Sequence, residues 1–225
     1  MSCQIFTETR LFLLIYRDTS GVAGVEIKSP KKYPIEESAE QGLLIDLRRD
    51  HFKSEGNQTG RQWTAISMQM LAFLGAGVPV RGAIELGWGT HIEEDSIYGT
   101  MLHRAFRLEK EAGYPRIIIG QNLLNYILPL ATHPQQGVSD EVARIAKRIG
   151  KEALSQIIED DDGELVLNYL RKESYAANED PFNKSVKSAK EFIRSEIARR
   201  RQSRETKLMG NYCKLRRFFQ RCNAW

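Results

Sequence analysis

Hydrophobic residues recur along the chain at two spacings, and each spacing predicts one kind of element. From Arg61 to Leu74 the apolar side chains fall three or four positions apart, which places them on one face of a helix. Val78–Trp88 alternates in the manner of a strand, so we predict a turn at Gly89–Thr90 and a returning strand over His91–Tyr98. A helix followed by a hairpin is therefore predicted for the middle of the chain.

The first sixty residues carry a weaker pattern. Apolar, β-prone runs at Cys3–Phe6 and Leu11–Tyr16 predict a β-hairpin or one broken strand. The stretch from Arg17 to Gly60 is rich in glycine and proline, and it predicts loops with one short strand or helix around Leu43–Leu47.

Beyond the hairpin, helices alternate with short strands. We predict helices over Gly99–Ala112, Gln121–Leu130 and Asp140–Ile158, the last capped by Ser139, and strands over Arg116–Ile119 and Glu164–Leu170. A loop is predicted at Pro134–Gly137 and an acidic turn at Asp160–Gly163. The chain should end in a helical tail over Phe182–Cys222 that could break at Gly210. This order indicates an α+β fold of the ferredoxin-like type, an antiparallel sheet with helices on one face, followed by a helical C-terminal extension.

Composition narrows the class of protein. The 225 residues are 41% apolar and 28% charged, which is ordinary for a globular protein and excludes a wholly disordered or collagen-like chain. We find no signal-peptide pattern and no apolar stretch that could span a membrane. The three cysteines lack metal-ligand spacing, so we expect reduced thiols in a cytoplasmic protein. Because no spanning stretch is found, we expect no membrane as a partner.

The net charge of +4 hides an asymmetry. Residues 181–225 hold thirteen Lys and Arg against three Glu, whereas the rest of the chain holds twenty basic and twenty-six acidic residues. Such a tail could bind nucleic acid or a membrane surface, or it could simply be a helix with a solvated basic face.

Candidate chemistry is concentrated in three ordered motifs. The chain has no phosphate-binding loop and no dinucleotide, zincin or hydrolase signature. It does contain V-P-V-R-G-A-I-E-L-G (Val78–Gly87), S-I-Y-G-T-M-L-H-R-A-F-R-L-E (Ser96–Glu109) and G-Y-P-R-I-I-I-G (Gly113–Gly120). In this order they resemble the second half of the class III nucleotidyl cyclase catalytic domain, and most closely stand-alone bacterial cyclases such as the pyrimidine cyclases of the Pycsar anti-phage system.

Two later segments fit the same subgroup. They are D-G-E-L-V-L-N-Y-L (Asp162–Leu170) and the ending N-Y-C-K-L-R-R-F-F-Q-R-C-N (Asn211–Asn223). The resemblance implies a homodimer that converts a nucleoside triphosphate to a 3′,5′-cyclic monophosphate and pyrophosphate in anti-phage signalling, with CTP and UTP as the candidate substrates. It also implies a cyclase-like domain over residues 1–175, N-terminally incomplete because the family's first metal-binding strand, F-x-D-I-x-G-F, has no counterpart, and a basic helical extension over residues 181–225.

The resemblance also assigns candidate site residues. Arg107 would stabilise charge at the transition state, and His103, which stands at the family's Asn position, would contact the ribose or phosphate. Ser96 would face the base and Gly99 would open the helix beside the substrate. Glu8 would be the one visible ligand for the two Mg²⁺ or Mn²⁺ ions that the family uses.

Each assignment has an alternative. Arg107 could pair with Glu111, four residues further along the helix, and Gly87 could do no more than bend a hairpin. One carboxylate is a poor Mg²⁺ site, so Glu8 could be an ordinary strand residue. The chain would then be an inactive cyclase homologue that binds a nucleotide or a partner subunit, and nucleic-acid binding by the tail remains a third possibility.

Overall fold

The computed structural model describes residues 7–17, 42–47, 58–93, 96–133 and 137–225. Side chains are described over 63–87, 99–133, 137–175 and 179–225. The predicted strand Cys3–Phe6 lies outside the described residues, as does most of the predicted loop at Pro134–Gly137.

Seven strands and six helices make up the described fold. The strands are β1 Thr7–Arg17, β2 Gly42–Leu47, β3 Val80–Glu93, β4 Ser96–Tyr98, β5 Ile117–Ile119, β6 Ile157–Glu159 and β7 Leu165–Leu167. The helices are α1 Gln58–Gly75, α2 Thr100–Glu111, α3 Gln121–Thr132, α4 Asp140–Ser155, α5 Glu179–Gln202 and α6 Thr206–Arg221, with a 3₁₀ segment over Lys172–Asn178. The protein is therefore α+β, as the alternation of helices and short strands predicts.

The strands form one mixed sheet. Its order is β2-β1-β3-β5-β7-β6, with β4 paired to β3. Neighbouring strands are antiparallel except for β3 and β5, where Ile84 lies opposite Ile119 in a parallel pair. The predicted wholly antiparallel sheet is wrong at this pair, because α2 carries the chain back across the sheet before β5 begins.

Helices cover both faces of β3, so the prediction that they lie on one face is also wrong. Successive strand residues face opposite sides of a sheet. Arg81 forms an ion pair with Glu109 of α2, and Gly87 lies against Met101 of the same helix. The intervening apolar positions of β3 instead belong to the main hydrophobic cluster, together with side chains of α1 and α5.

Three predicted boundaries differ from the structure. Gly89 and Thr90 do not form a turn but lie inside β3, where Thr90 pairs with Thr7 of β1. The helix after Ser139 ends at Ser155, because β6 then pairs with β7. The break in the tail lies at residues 203–205, where Arg204 adopts a left-handed φ of 59°, and Gly210 lies inside α6.

The C-terminal helices share the central core. Buried apolar residues of α5 and α6 belong to the same cluster as those of α1 and the sheet: Phe182, Val186, Ala189, Ile193, Ile197, Tyr212, Leu215, Phe218 and Phe219. The division into residues 1–175 and 181–225 stays a prediction, but hydrophobic packing is continuous across it.

Several local expectations are confirmed. Leu43–Leu47 lies in a strand rather than a helix, α1 includes the whole predicted span, and the Ser139 hydroxyl accepts a hydrogen bond from the Val142 amide at 3.4 Å. Cys213 and Cys222 are free thiols.

No helix in the described ranges has the length and apolar character needed to cross a membrane.

Candidate functional site

Three strands converge where the resemblance places the substrate. Thr90 of β3 pairs with Thr7 of β1 on one side and with Tyr98 of β4 on the other. Glu8 lies directly opposite Gly89. The strand register therefore brings the backbone of the predicted metal ligand to the same end of the sheet as the β3–β4 hairpin.

The two predicted substrate-binding residues lie at the start of β4 and just before α2. Ser96 begins β4, where it pairs with Glu93 across a register shift. Gly99 has an extended backbone, with φ 172° and ψ 153°, and its carbonyl accepts the Leu102 amide at 3.1 Å. Gly99 thus stands at the start of the helix, where the motif places it, while its contact with a substrate stays a prediction.

Helix α2 approaches β3 closely because two alanines and one glycine lie where the helix and the strand meet. Ala83 of β3 and Ala105 of α2 are both fully buried. A Cβ atom added to Gly87 would lie 2.8 Å from the Met101 Cβ, which no packed side chain tolerates without movement. Gly87 therefore sets the distance between strand and helix, a role the sequence alone could not separate from bending a hairpin.

His103 and Arg107 lie side by side on the outer face of α2. The positions that face β3 are Met101, Ala105 and Glu109, all buried, and His103 stands about 200° around the axis from Met101. The Arg107 side chain is 70% exposed, and its Nε lies 3.7 Å from the Glu111 Oε1. The ion pair between Arg107 and Glu111 that the sequence offered as an alternative is therefore present. The Arg107 guanidinium faces away from the sheet of its own chain.

The described residues do not fit a two-ion site. Two hard divalent cations need several carboxylate ligands, and the resemblance supplies Glu8 alone. Among the residues that the structure describes, no group of three or more His, Cys, Asp or Glu side chains could hold a metal. The Mg²⁺ or Mn²⁺ requirement stays a prediction.

A buried charge network lies at the turn between β6 and β7. The Arg116 Nη1 donates to the Asp160 Oδ2 at 2.6 Å, and its Nη2 donates to the Asp162 Oδ2 at 2.7 Å. The Arg116 Nε donates to the Ala112 carbonyl at 2.8 Å, and the Tyr114 hydroxyl donates to Asp160. Because Arg116 is 2% exposed and Asp160 is 7% exposed, the pair is shielded from water.

The end of α6 closes the network from the other side. The Arg221 Nη2 donates to the Asp160 Oδ1 at 2.5 Å, and its Nη1 donates to the Asp161 Oδ1 at 2.8 Å. The Arg217 Nε lies 3.5 Å from the Asp161 Oδ2. Asp160, at the start of the predicted acidic turn, is therefore buried and binds the last helix to the sheet.

The network shifts the protonation equilibria of its members. Burial alone would raise the pKa of Asp160, but hydrogen bonds from Tyr114, Arg116 and Arg221 outweigh it and hold that pKa below its ordinary value. Hydrogen bonds from Arg116 likewise lower the pKa of Asp162. Burial and the neighbouring carboxylate raise the pKa of Tyr114. Both acids therefore stay ionised, and the phenol stays protonated, at neutral pH.

Sequence reasoning missed this constellation although a signal existed. Arg116 directly precedes three isoleucines of a buried strand, and a buried arginine requires a carboxylate partner. The acidic run at Asp160–Gly163 was the available partner, but their separation of 44 residues hides the pairing until the sheet is assembled.

Comparison with known proteins identifies no relative: no family model, no curated protein and no solved structure matches the chain. The resemblance to nucleotidyl cyclases therefore rests on the motifs themselves.

Proposed function

We propose that the chain is a nucleotidyl cyclase-like protein that binds a nucleoside triphosphate at the end of the sheet where β1, β3 and β4 meet α2. The observation that carries the proposal is the order of elements over residues 80–119. A strand with the R-G-A-I-E-L-G motif leads into a hairpin, a glycine-opened helix and a short strand, which is the order that the resemblance requires.

The exposed position of Arg107 supports a site shared by two copies. Its described partner is Glu111, and a surface pair of this kind contributes about 0–1 kcal/mol, so a triphosphate could replace that carboxylate at small cost. His103 lies one helical turn away and adds a second nitrogen group on the same face. We therefore assign the α2 outer face to the substrate held by a partner copy, with Arg107 stabilising the charge that develops on the phosphates.

Turnover tests the proposal directly. The purified chain is incubated with Mn²⁺ and each of CTP, UTP, ATP and GTP, and cyclic monophosphates are measured by mass spectrometry. We expect one base to be preferred and the product to be lost in Arg107→Ala. The matched control is Arg104→Ala, since Arg104 is an exposed arginine of the same helix, three positions earlier.

A binding-only role is the second candidate, and it is favoured because the side chains that the structure describes include no group able to hold a metal ion. In that case nucleoside triphosphates raise the melting temperature, no cyclic product forms, and Arg107→Ala reduces the thermal shift. A chain that neither binds nor turns over any triphosphate contradicts both candidates.

Nucleic-acid binding by the tail receives less support, because several of its cations already have partners. Arg199 and Arg200 contact Glu196, Arg194 lies over the Trp225 ring, and Arg217 and Arg221 contact the β6–β7 turn. If the tail did bind nucleic acid, affinity would fall steeply with salt and would be lost with residues 181–225.

A further inference from the structure

A cavity of about 470 Å³ lies beside the C-terminal helices. Its walls come from the residues after β7, the first half of α5 and the chain after α6, including Asn168, Phe182 and Asn223. Small-molecule sites span roughly 300–1,000 Å³, so this cavity can hold a small organic ligand.

The cavity wall carries an excess of positive charge. Arg171, Lys172 and Lys190 line it, and Glu173 is the one acidic residue among the lining side chains that the structure describes. The Arg171 Nε lies 3.4 Å from the Glu173 Oε2, and the Lys172 Nζ lies 2.6 Å from the Glu179 Oε1. Two carboxylates therefore offset two of the three cations.

Lys190 is the cation that remains. It is half-buried on α5 and forms no ion pair or hydrogen bond with any residue whose side chain is described. Partial burial beside an apolar wall weakens its hydration, so an anion in the cavity would gain from its charge.

Three amide side chains add hydrogen-bonding capacity. Asn168, Asn183 and Asn223 line the cavity together with the cations. The Asn168 Oδ1 already accepts the Leu170 amide at 3.2 Å, which leaves its NH₂ group as a donor. The cavity surface therefore offers an amide donor beside its cations.

We propose that this cavity binds a small molecule that carries a phosphate group, with Lys190 as its charge contact. A phosphate monoester holds about −1.5 to −2 charges at pH 7 and three acceptor oxygens, which suits a lysine that has no ion-pair partner among the described side chains and that lies among amide groups. Lysine contributes a point charge, and the planar guanidinium of Arg171 adds directional donors. The proposal involves none of the residues assigned to nucleotide turnover, so each can fail without the other.

Isothermal titration calorimetry at constant ionic strength tests the proposal. The probes are inorganic phosphate, glycerol 3-phosphate, ribose 5-phosphate and AMP, with glycerol, ribose and adenosine as uncharged counterparts. We expect at least one phosphate ester to bind while its uncharged counterpart does not. Lys190→Gln should weaken that binding roughly tenfold or more, and Lys190→Glu should weaken it further.

The matched control is Lys187→Gln, because Lys187 is an exposed lysine one turn earlier on α5 and does not line the cavity. Its affinity should equal that of the wild type. No binding of any phosphate probe, or equal losses in the Lys187 and Lys190 variants, would overturn the proposal. Circular dichroism of each variant excludes a loss of folding as the cause.

Discussion

Arg116 and Asp160 form a buried ion pair, with 2.6 Å between Nη1 and Oδ2, that joins the start of β5 to the turn between β6 and β7. Arg221 reaches the other oxygen of the same carboxylate from the end of α6. The Asp160 side chain therefore connects the sheet to the last helix. We expect the stability of the fold to depend on its charge.

The first prediction is that Asp160→Asn strongly destabilises the protein. The substitution keeps the shape of the side chain but removes the more deeply buried of the two charges that compensate Arg116, which costs about 3–5 kcal/mol. Urea denaturation followed by circular dichroism measures the loss. Asp161→Asn is the control, because its exposed pairs with Arg217 and Arg221 contribute about 0–1 kcal/mol. Equal losses in the two variants would contradict the assignment of Asp160 as the centre of the network.

The second prediction is that low pH destabilises the protein through Asp160 and Asp162. Asp160 and Asp162 have folded-state pKa values below their ordinary values, so their contribution to stability is complete above the unfolded pKa of about 3.9 and is lost as pH falls toward the folded pKa. The free energy of unfolding should therefore decline below about pH 4–5. Asp160→Asn should show a shallower decline than the wild type in urea titrations between pH 7 and pH 2. Identical slopes would show that Asp160 does not carry the acid sensitivity.

The third prediction compares two glycines. Gly87→Ala places a methyl group 2.8 Å from the Met101 Cβ, and relieving this overlap costs about 1–3 kcal/mol. Gly210 lies inside α6 with no atom within 4 Å of an added Cβ, so Gly210→Ala should stabilise the protein by about 0.5–1 kcal/mol. Thermal denaturation distinguishes the two. A stabilising Gly87→Ala would mean that α2 does not pack closely on β3.

The fourth prediction is that the C-terminal helices unfold together with the rest of the described fold. Phe219 is fully buried in the shared core, so Phe219→Ala should cost about 3–5 kcal/mol and preserve a single transition. Arg216→Ala, at an exposed position of the same helix, should change stability by less than about 0.5 kcal/mol. Two separate unfolding transitions would instead support an independent extension over residues 181–225.

The sequence predicts local elements well where the hydrophobic pattern is strong. Helix α1, the motif-bearing helix α2 and the Ser139 cap follow from spacing and capping chemistry, which depend on near neighbours. The turn expected at Gly89–Thr90 does not occur, because pairing with β1 keeps β3 extended through Gly89, although glycine is depleted in strands.

Features that depend on distant residues could not be obtained in this way. The parallel pairing of β3 with β5 and the packing of α2 and α1 on opposite faces depend on topology. Burial of Asp160 depends on Arg116 and Arg221, which lie 44 and 61 residues away. For the candidate site, spacing anticipates that His103 and Arg107 share a face of α2, whereas only the assembled structure shows which face that is.

Complementation between two inactive variants tests the shared cyclase-like site most directly. Glu8→Gln and Arg107→Ala are purified separately, mixed at equal concentration, allowed to exchange subunits, and assayed with Mn²⁺ and the preferred triphosphate. If each site combines Glu8 of one copy with Arg107 of the other, mixed dimers hold one intact site, and activity should return to roughly a quarter of the wild-type value. Two variants that are each inactive and stay inactive after mixing, although subunit exchange is demonstrated by mass spectrometry, would contradict the shared site.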